Sequence, residues 1–183
     1  NSLYQLLSLK LENPQLLEAA ASFLMIPDLM HWVLSGEKVN EFTNATTTQM
    51  LDPRSGDWAL SLLDRFSLPS DILQPVTAPG TVLGPLRRSV SDTTGLRDVK
   101  VILPGTHDTA SAVMAVPVDA QTQASGHWCY ISSGTWSLMG AEIPEPVINA
   151  RCQQLNFTNE GGVGQTVRLL KNIAGLWLVQ QCR

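Results

Sequence analysis

The sequence predicts an α/β fold, on three observations. Val99-Lys100-Val101-Ile102-Leu103 is β-branched enough to form a strand, Pro104-Gly105 ends it, and Thr106-His107-Asp108-Thr109 leads into the small, apolar run ASAVMAV, which suits a helix. The first third repeats leucines at helical spacing, and the segment from Trp128 to Ile143 is strand-like around a turn.

Taken in order, Leu3, Leu6 and Leu7 lie on one helical face, and Asn13-Pro14 offers a cap with proline at the first position of a second helix. Pro27-Asp28 opens a third, which runs through Leu29, Trp32 and Val33 to a stop at Gly36. Turn residues 52–56 precede Asp57, a predicted cap for a helix whose apolar side is Trp58, Leu62, Leu63 and Phe66. From Ala78-Pro79-Gly80 onward, prolines and glycines punctuate short apolar pieces. Pro117 to Gly126 is polar and predicted as a linker. Beyond it, two strands meet at Ser132-Ser133-Gly134-Thr135, a hairpin whose glycine is expected to take a positive φ. Residues 156–160 suit a shorter strand. Leu169, Leu170, Ile173, Leu176, Trp177 and Gln180 form one stripe of a predicted terminal helix carrying Lys171 and Asn172. Core packing is expected of all five tryptophans, with Trp128 and Trp136 near enough to the hairpin turn to line a cleft as well.

Composition narrows the function. The chain has 183 residues, 44% apolar and only 15% charged, against about 25% charged in an ordinary soluble domain, a deficit that implies surface normally covered by other protein or ligand. A net charge of −4 argues against a nucleic-acid partner. No run approaches the roughly 20 apolar residues of a membrane span, and the N-terminal residues lack the basic start and cleavage site of a signal peptide. Cys129, Cys152 and Cys182 match neither a zinc spacing nor a disulfide framework, which suits the cytoplasm. The three histidines at 31, 107 and 127 are scattered, and no metal ligand is assigned.

Asp108 is the most suggestive residue. A carboxylate at a strand-to-helix junction sits where ligands of open α/β sheets gather; either it accepts a proton from a substrate hydroxyl, or it, or Thr106, caps the helix. His107 beside it would by default bond nearby backbone. The 132–135 turn is either an ordinary hairpin or a set of N–H and hydroxyl donors for anionic oxygens. No G-x-x-x-x-G-K-[ST] loop is present.

Six segments in this order resemble the FGGY family of carbohydrate kinases, and within it the branch acting on rhamnulose. They are Pro27-Asp28, Thr43 to Gln49 (TNATTTQ), Gly105 to Val113 (GTHDTASAV), Tyr130 to Glu142 (YISSGTWSLMGAE), Asn156 to Gly162 (NFTNEGG) and Leu170 to Val179 (LKNIAGLWLV). The resemblance implies a two-lobed kinase of the actin and hexokinase type, each lobe an RNase H-like α/β core, using ATP with Mg2+. It implies that Asp108 is the general base, that His107, Asp108, Thr109 and Asn172 contact the sugar, and that Thr135 and Gln180 contact ATP. Residues 1–117 would finish the first lobe and 118–183 begin the second, with a first phosphate hairpin upstream and an adenosine loop downstream. On that reading the 183 residues are an internal piece, inefficient as a kinase alone, and the partners are a small sugar and ATP.

Overall fold

The computed structural model describes residues 1–182, and the chain divides into two units, Asn1–Thr106 and His107–Arg183. In the first unit, α1 (Ser2–Glu12) and α2 (Pro14–Glu18) meet at Asn13, with Pro14 starting the second helix as expected. Leu3 and Leu6 of α1 and Leu17 of α2 join Met50, Leu63 and Leu68 in one apolar cluster, against which Phe23, Trp58 and Leu73 pack. Burial of that cluster is what short helices of this kind require.

α3 (Ile26–Ser35) ends at Gly36 with φ +93°, the left-handed cap that glycine adopts without strain. Its Asp28 is buried and serves the interior: Oδ2 accepts from Asn40 Nδ2 at 2.9 Å and Oδ1 from the Glu41 N–H at 3.1 Å. Burial raises the Asp28 carboxyl above the usual carboxylate range, against the pull of those two bonds. β1 (Asn40–Glu41) runs into α4 (Phe42–Ala45) and a 3-10 turn at Thr46–Thr48. β2 (Leu51–Asp52) pairs with β3 (Asp57–Trp58), so Asp57 belongs to a tight hairpin and caps no helix; α5 (Leu60–Arg65) starts later, from Ala59. β4 (Val76–Thr77) pairs in parallel with β1. β5 (Val82–Pro85) and β6 (Lys100–Ile102) form an antiparallel pair flanking α6 (Arg88–Thr94).

The second unit is built on one four-stranded sheet. It opens with α7 (Asp108–Met114), followed by α8 (Ala120–Ser125), and α8 corrects the expected linker at 117–126. Asp119 makes this short helix possible. Its carboxylate accepts from the Thr122 N–H at 2.9 Å and the Thr122 hydroxyl at 2.7 Å, which holds the Asp119 carboxyl below the usual range. β7 (Tyr130–Ser132) and β8 (Trp136–Ile143) form the expected hairpin, although Gly134 is not in the positive-φ region. After α9 (Ala150–Gln154) come β9 (Thr158–Gly161), β10 (Val167–Ala174) and α10 (Trp177–Gln181), giving the antiparallel order β7-β8-β10-β9.

β10 corrects the predicted terminal helix. Its leucines repeat at a spacing both structures accept, but β8 pairs with its whole length and β9 with Val167 to Leu170, so the sheet takes its backbone groups. The strand period then puts Arg168, Leu170 and Asn172 on one face. Only after Gly175 does a helix form, and five residues suffice for it. The tryptophans correct the expectation of uniform core packing: Trp136 is 64% and Trp177 39% exposed, their rings stacked 6.1 Å apart at 10°. No helix among the described residues is long and apolar enough to cross a membrane.

Candidate functional site

The second unit carries all six residues to which the resemblance gives a sugar or ATP contact. His107 is the N-cap of α7, its side chain making no capping bond, and Asp108 is the first residue of the helix, its carboxylate accepting one first-turn N–H, that of Thr109. Asp108 thus presents a carboxylate whose side chain is 96% exposed, steadied at Oδ1 by the Thr109 N–H at 2.7 Å. Thr109 is buried beneath it, its hydroxyl 3.4 Å from the same oxygen. His107 lies alongside, Nε2 3.8 Å from Asp108 Oδ1. An open acceptor with a steadied base and an imidazole next to it can bind a hydroxyl and take its proton.

Sheet register places the other candidates. Along β10 and β8 the facing pairs are Arg168 with Glu142, Leu170 with Gly140, Asn172 with Leu138 and Ala174 with Trp136. Asn172, placed in a helix by its sequence pattern, is therefore an exposed strand residue on the Arg168 face, about 13 Å along the strand from Arg168. Thr135 is exposed in the turn leading into β8, at the far end of that row. The turn is docked on the start of α10: Leu176 N–H donates to the Gly134 carbonyl at 2.9 Å and Trp177 N–H to the Thr135 carbonyl at 3.0 Å. Gln180 is exposed on α10, where it lines an open hollow of about 480 Å³ with Leu176, Val179 and Cys182. The candidates thus form two groupings, His107 to Thr109 at the start of α7 and Thr135 with Gln180 at the docked turn, and Asn172 lies between them in the register.

Gly175 is the hinge of the docked turn. A Cβ there would overlap the Gly134 carbonyl and the Ser137 hydroxyl, so only glycine lets the two backbones approach. Gly175→Ala is expected to destabilise the protein by about 1–3 kcal/mol, read as a lower urea midpoint at unchanged slope. An unchanged midpoint would show that the turn yields freely.

Two buried ionic residues escaped the sequence reading. Arg168 is fully buried; its Nε donates to the Gly161 carbonyl at 3.0 Å, and Nη2 lies 3.1 Å from Glu160 Oε2 and 3.2 Å from His107 Nδ1. Arg168 Nη1 and the Tyr130 hydroxyl are buried without a hydrogen-bond partner among the described residues. Burial pushes the Tyr130 hydroxyl up, against the opposing influence of the Arg168 charge. In the first unit, Glu41 is fully buried and takes donors from Thr43, Asn44 and Thr106. No pattern of spacing distinguishes either residue from a solvated charge. Among the described residues no three of His, Cys, Asp and Glu converge as a metal cluster, and no step is assigned to a cation held by this chain.

The chain is 45% identical over its whole length to a rhamnulokinase of Oceanobacillus iheyensis, of which it covers 37%, and 44% identical over its whole length to one of Halalkalibacterium halodurans, of which it covers 38%. It thus spans well under half of these relatives. Among solved structures, a gluconate kinase of Lactobacillus acidophilus matches all of the chain with 36% of its own, at a TM-score of 0.81 and 19% identity. A xylulose kinase of Rhodospirillum rubrum matches 97% of this chain with 36% of its own, at 0.77 and 17%. At these identities the likeness is one of fold, the α/β sugar-kinase fold that the resemblance implied. The model of the N-terminal domain of the FGGY family matches residues 1–115, and with that match added to the α/β fold and the open aspartate at the head of α7, the chain belongs to the FGGY family of carbohydrate kinases.

Proposed function

We propose that this chain is the central part of an ATP-dependent rhamnulokinase, which transfers the γ-phosphate of ATP to the 1-hydroxyl of L-rhamnulose, giving L-rhamnulose 1-phosphate and ADP, in cytoplasmic rhamnose catabolism. The observation that carries it is the whole-chain identity of 39–45% to rhamnulokinases, at a level where the site residues are expected to keep their roles. In this reading residues 1–117 complete the first, sugar-binding lobe and 118–183 begin the second, nucleotide-binding lobe.

Phosphoryl transfer asks mainly for alignment and charge neutralisation. Asp108 would accept the proton of the attacking hydroxyl, and its exposed carboxylate suits that task. His107, Thr109 and Asn172 would bind the sugar, Thr135 and Gln180 would bind ATP, and Mg2+ would enter with the nucleotide's phosphates.

A coupled ADP-release assay on the full-length protein carrying this sequence, with ATP, magnesium and a panel of ketoses, tests the reading. L-Rhamnulose is expected to give the highest kcat/KM, with the 183-residue piece alone giving little turnover. A higher kcat/KM with another ketose would overturn the sugar assignment, and no turnover with any sugar would overturn the kinase.

A further inference from the structure

We infer that Arg168 is a positioning residue, which fixes His107 as a neutral imidazole protonated on Nε2 and so makes it a hydrogen-bond donor to the sugar hydroxyl that Asp108 deprotonates. The inference rests on the proposed roles of His107 and Asp108.

A guanidinium is donor only, and Arg168 Nη2 lies 3.2 Å from His107 Nδ1. Nδ1 must meet it with a lone pair, because a proton there would face another proton. The neutral ring therefore carries its hydrogen on Nε2. That nitrogen is the one beside the aspartate, 3.8 Å from Asp108 Oδ1. A hydroxyl seated at this pair would receive a hydrogen bond on its oxygen from His107 Nε2–H and give its own hydrogen to Asp108. Both atoms of the O–H group are then directed, which is the alignment an in-line transfer needs.

Arg168 is itself held so that it cannot turn away. It is fully buried on the central strand β10, directly opposite Glu160 in the register with β9, and bonded to the Glu160 carboxylate and the Gly161 carbonyl. Three directed contacts from one planar fork are beyond a lysine, whose single ammonium is a point charge. The same face of β10 carries Asn172, so one strand would place one sugar contact directly and a second through Arg168.

The first test is the tautomer of His107 in the unaltered full-length protein. Long-range ¹H–¹⁵N NMR at neutral pH, with the His107 signals identified by their loss in His107→Asn, is expected to show a lone-pair Nδ1 and a protonated Nε2. A protonated Nδ1, as the other tautomer or as imidazolium, would overturn the inference. The second is kinetic. Arg168→Met is expected to raise the sugar KM roughly 10- to 100-fold, the scale on which metal affinity falls when the partner orienting a metal-bound histidine is lost. The KM for ATP should stay within about twofold, and Arg168→Lys, which keeps the charge and one donor group but not the planar fork, should fall between wild type and Arg168→Met. A folded Arg168→Met protein with an unchanged sugar KM would sink the idea. If that variant fails to fold, the wild-type tautomer decides alone. Absence of kinase activity in the wild type would remove the function proposed above and leave the tautomer measurement standing on its own.

Discussion

Asp108→Asn in the full-length protein is expected to lower kcat by about 10²- to 10⁴-fold, the usual cost of losing a general base, with sugar affinity and stability little changed. Asparagine has the shape of aspartate and keeps an oxygen for the Thr109 N–H, now bonded to Oδ1 at 2.7 Å. The start of α7 therefore survives the change. What disappears is the ability to take a proton, since an amide oxygen is far too weak a base. The substitution separates a structural carboxylate from a chemical one: the side chain is 96% exposed, and exposed substitutions usually alter stability by no more than about 0.5 kcal/mol. Steady-state kinetics, sugar titration by calorimetry and urea unfolding on the same preparation check all three quantities. Near-normal turnover would remove Asp108 from the chemistry. A large loss of stability together with turnover would return it to a role in building the turn.

The site was legible where chemistry and local structure coincide in a short segment. Thr106 to Thr109 announces a strand-to-helix turn with a carboxylate on it, and the alternation around Ser132 to Thr135 announces a hairpin; both are present. Asn172 was a sound candidate on an unsound element. Leu169, Leu170, Ile173 and Leu176 fit a helical stripe as well as a doubly flanked strand, and only pairing with β8 and β9 decides between them. α8 was hidden because six residues of mixed polarity have no periodicity, and its stability comes from the Asp119 cap. Arg168 and Glu41 were invisible for a different reason. A charged residue is solvated unless a partner is at hand: Glu160 and His107 lie 8 and 61 residues from Arg168, and although Glu41 caps α4 locally through Thr43 and Asn44, its burial is completed by Thr106, 65 residues away. Arg168, which bonds the histidine of this site, is thus a residue whose meaning depends on tertiary contacts.

Glu41→Gln should destabilise the protein by about 3 kcal/mol, the upper end of the cost of leaving a buried donor unsatisfied and an effect out of proportion to replacing one oxygen by an amino group. Glu41 is fully buried and acceptor-only, and each of its oxygens faces donors. Oε1 takes the Thr43 N–H at 2.9 Å. Oε2 takes the Thr43 hydroxyl at 2.5 Å, the Asn44 N–H at 3.1 Å, and from Thr106 both the N–H at 3.0 Å and the hydroxyl at 2.8 Å. Glutamine has no orientation that satisfies this set. With its amino group at the Oε1 position it opposes the Thr43 N–H and leaves that donor buried and unpaired; with the amino group at Oε2 it opposes two backbone N–H groups, those of Asn44 and Thr106, while the two threonine hydroxyls there can turn to accept. The first orientation is the cheaper, yet it also replaces a charged acceptor by a neutral one in the remaining bonds, where hydrogen bonds to charged groups contribute about 1.5–3 kcal/mol. Two of the five bonds end on Thr106, so the close of the first unit is loosened at the same time. A lowered urea midpoint at unchanged slope is the expected pattern. Glu41→Gln with a wild-type midpoint would overturn this, showing that the carboxylate's charge is dispensable and that the surrounding groups rearrange to satisfy an amide.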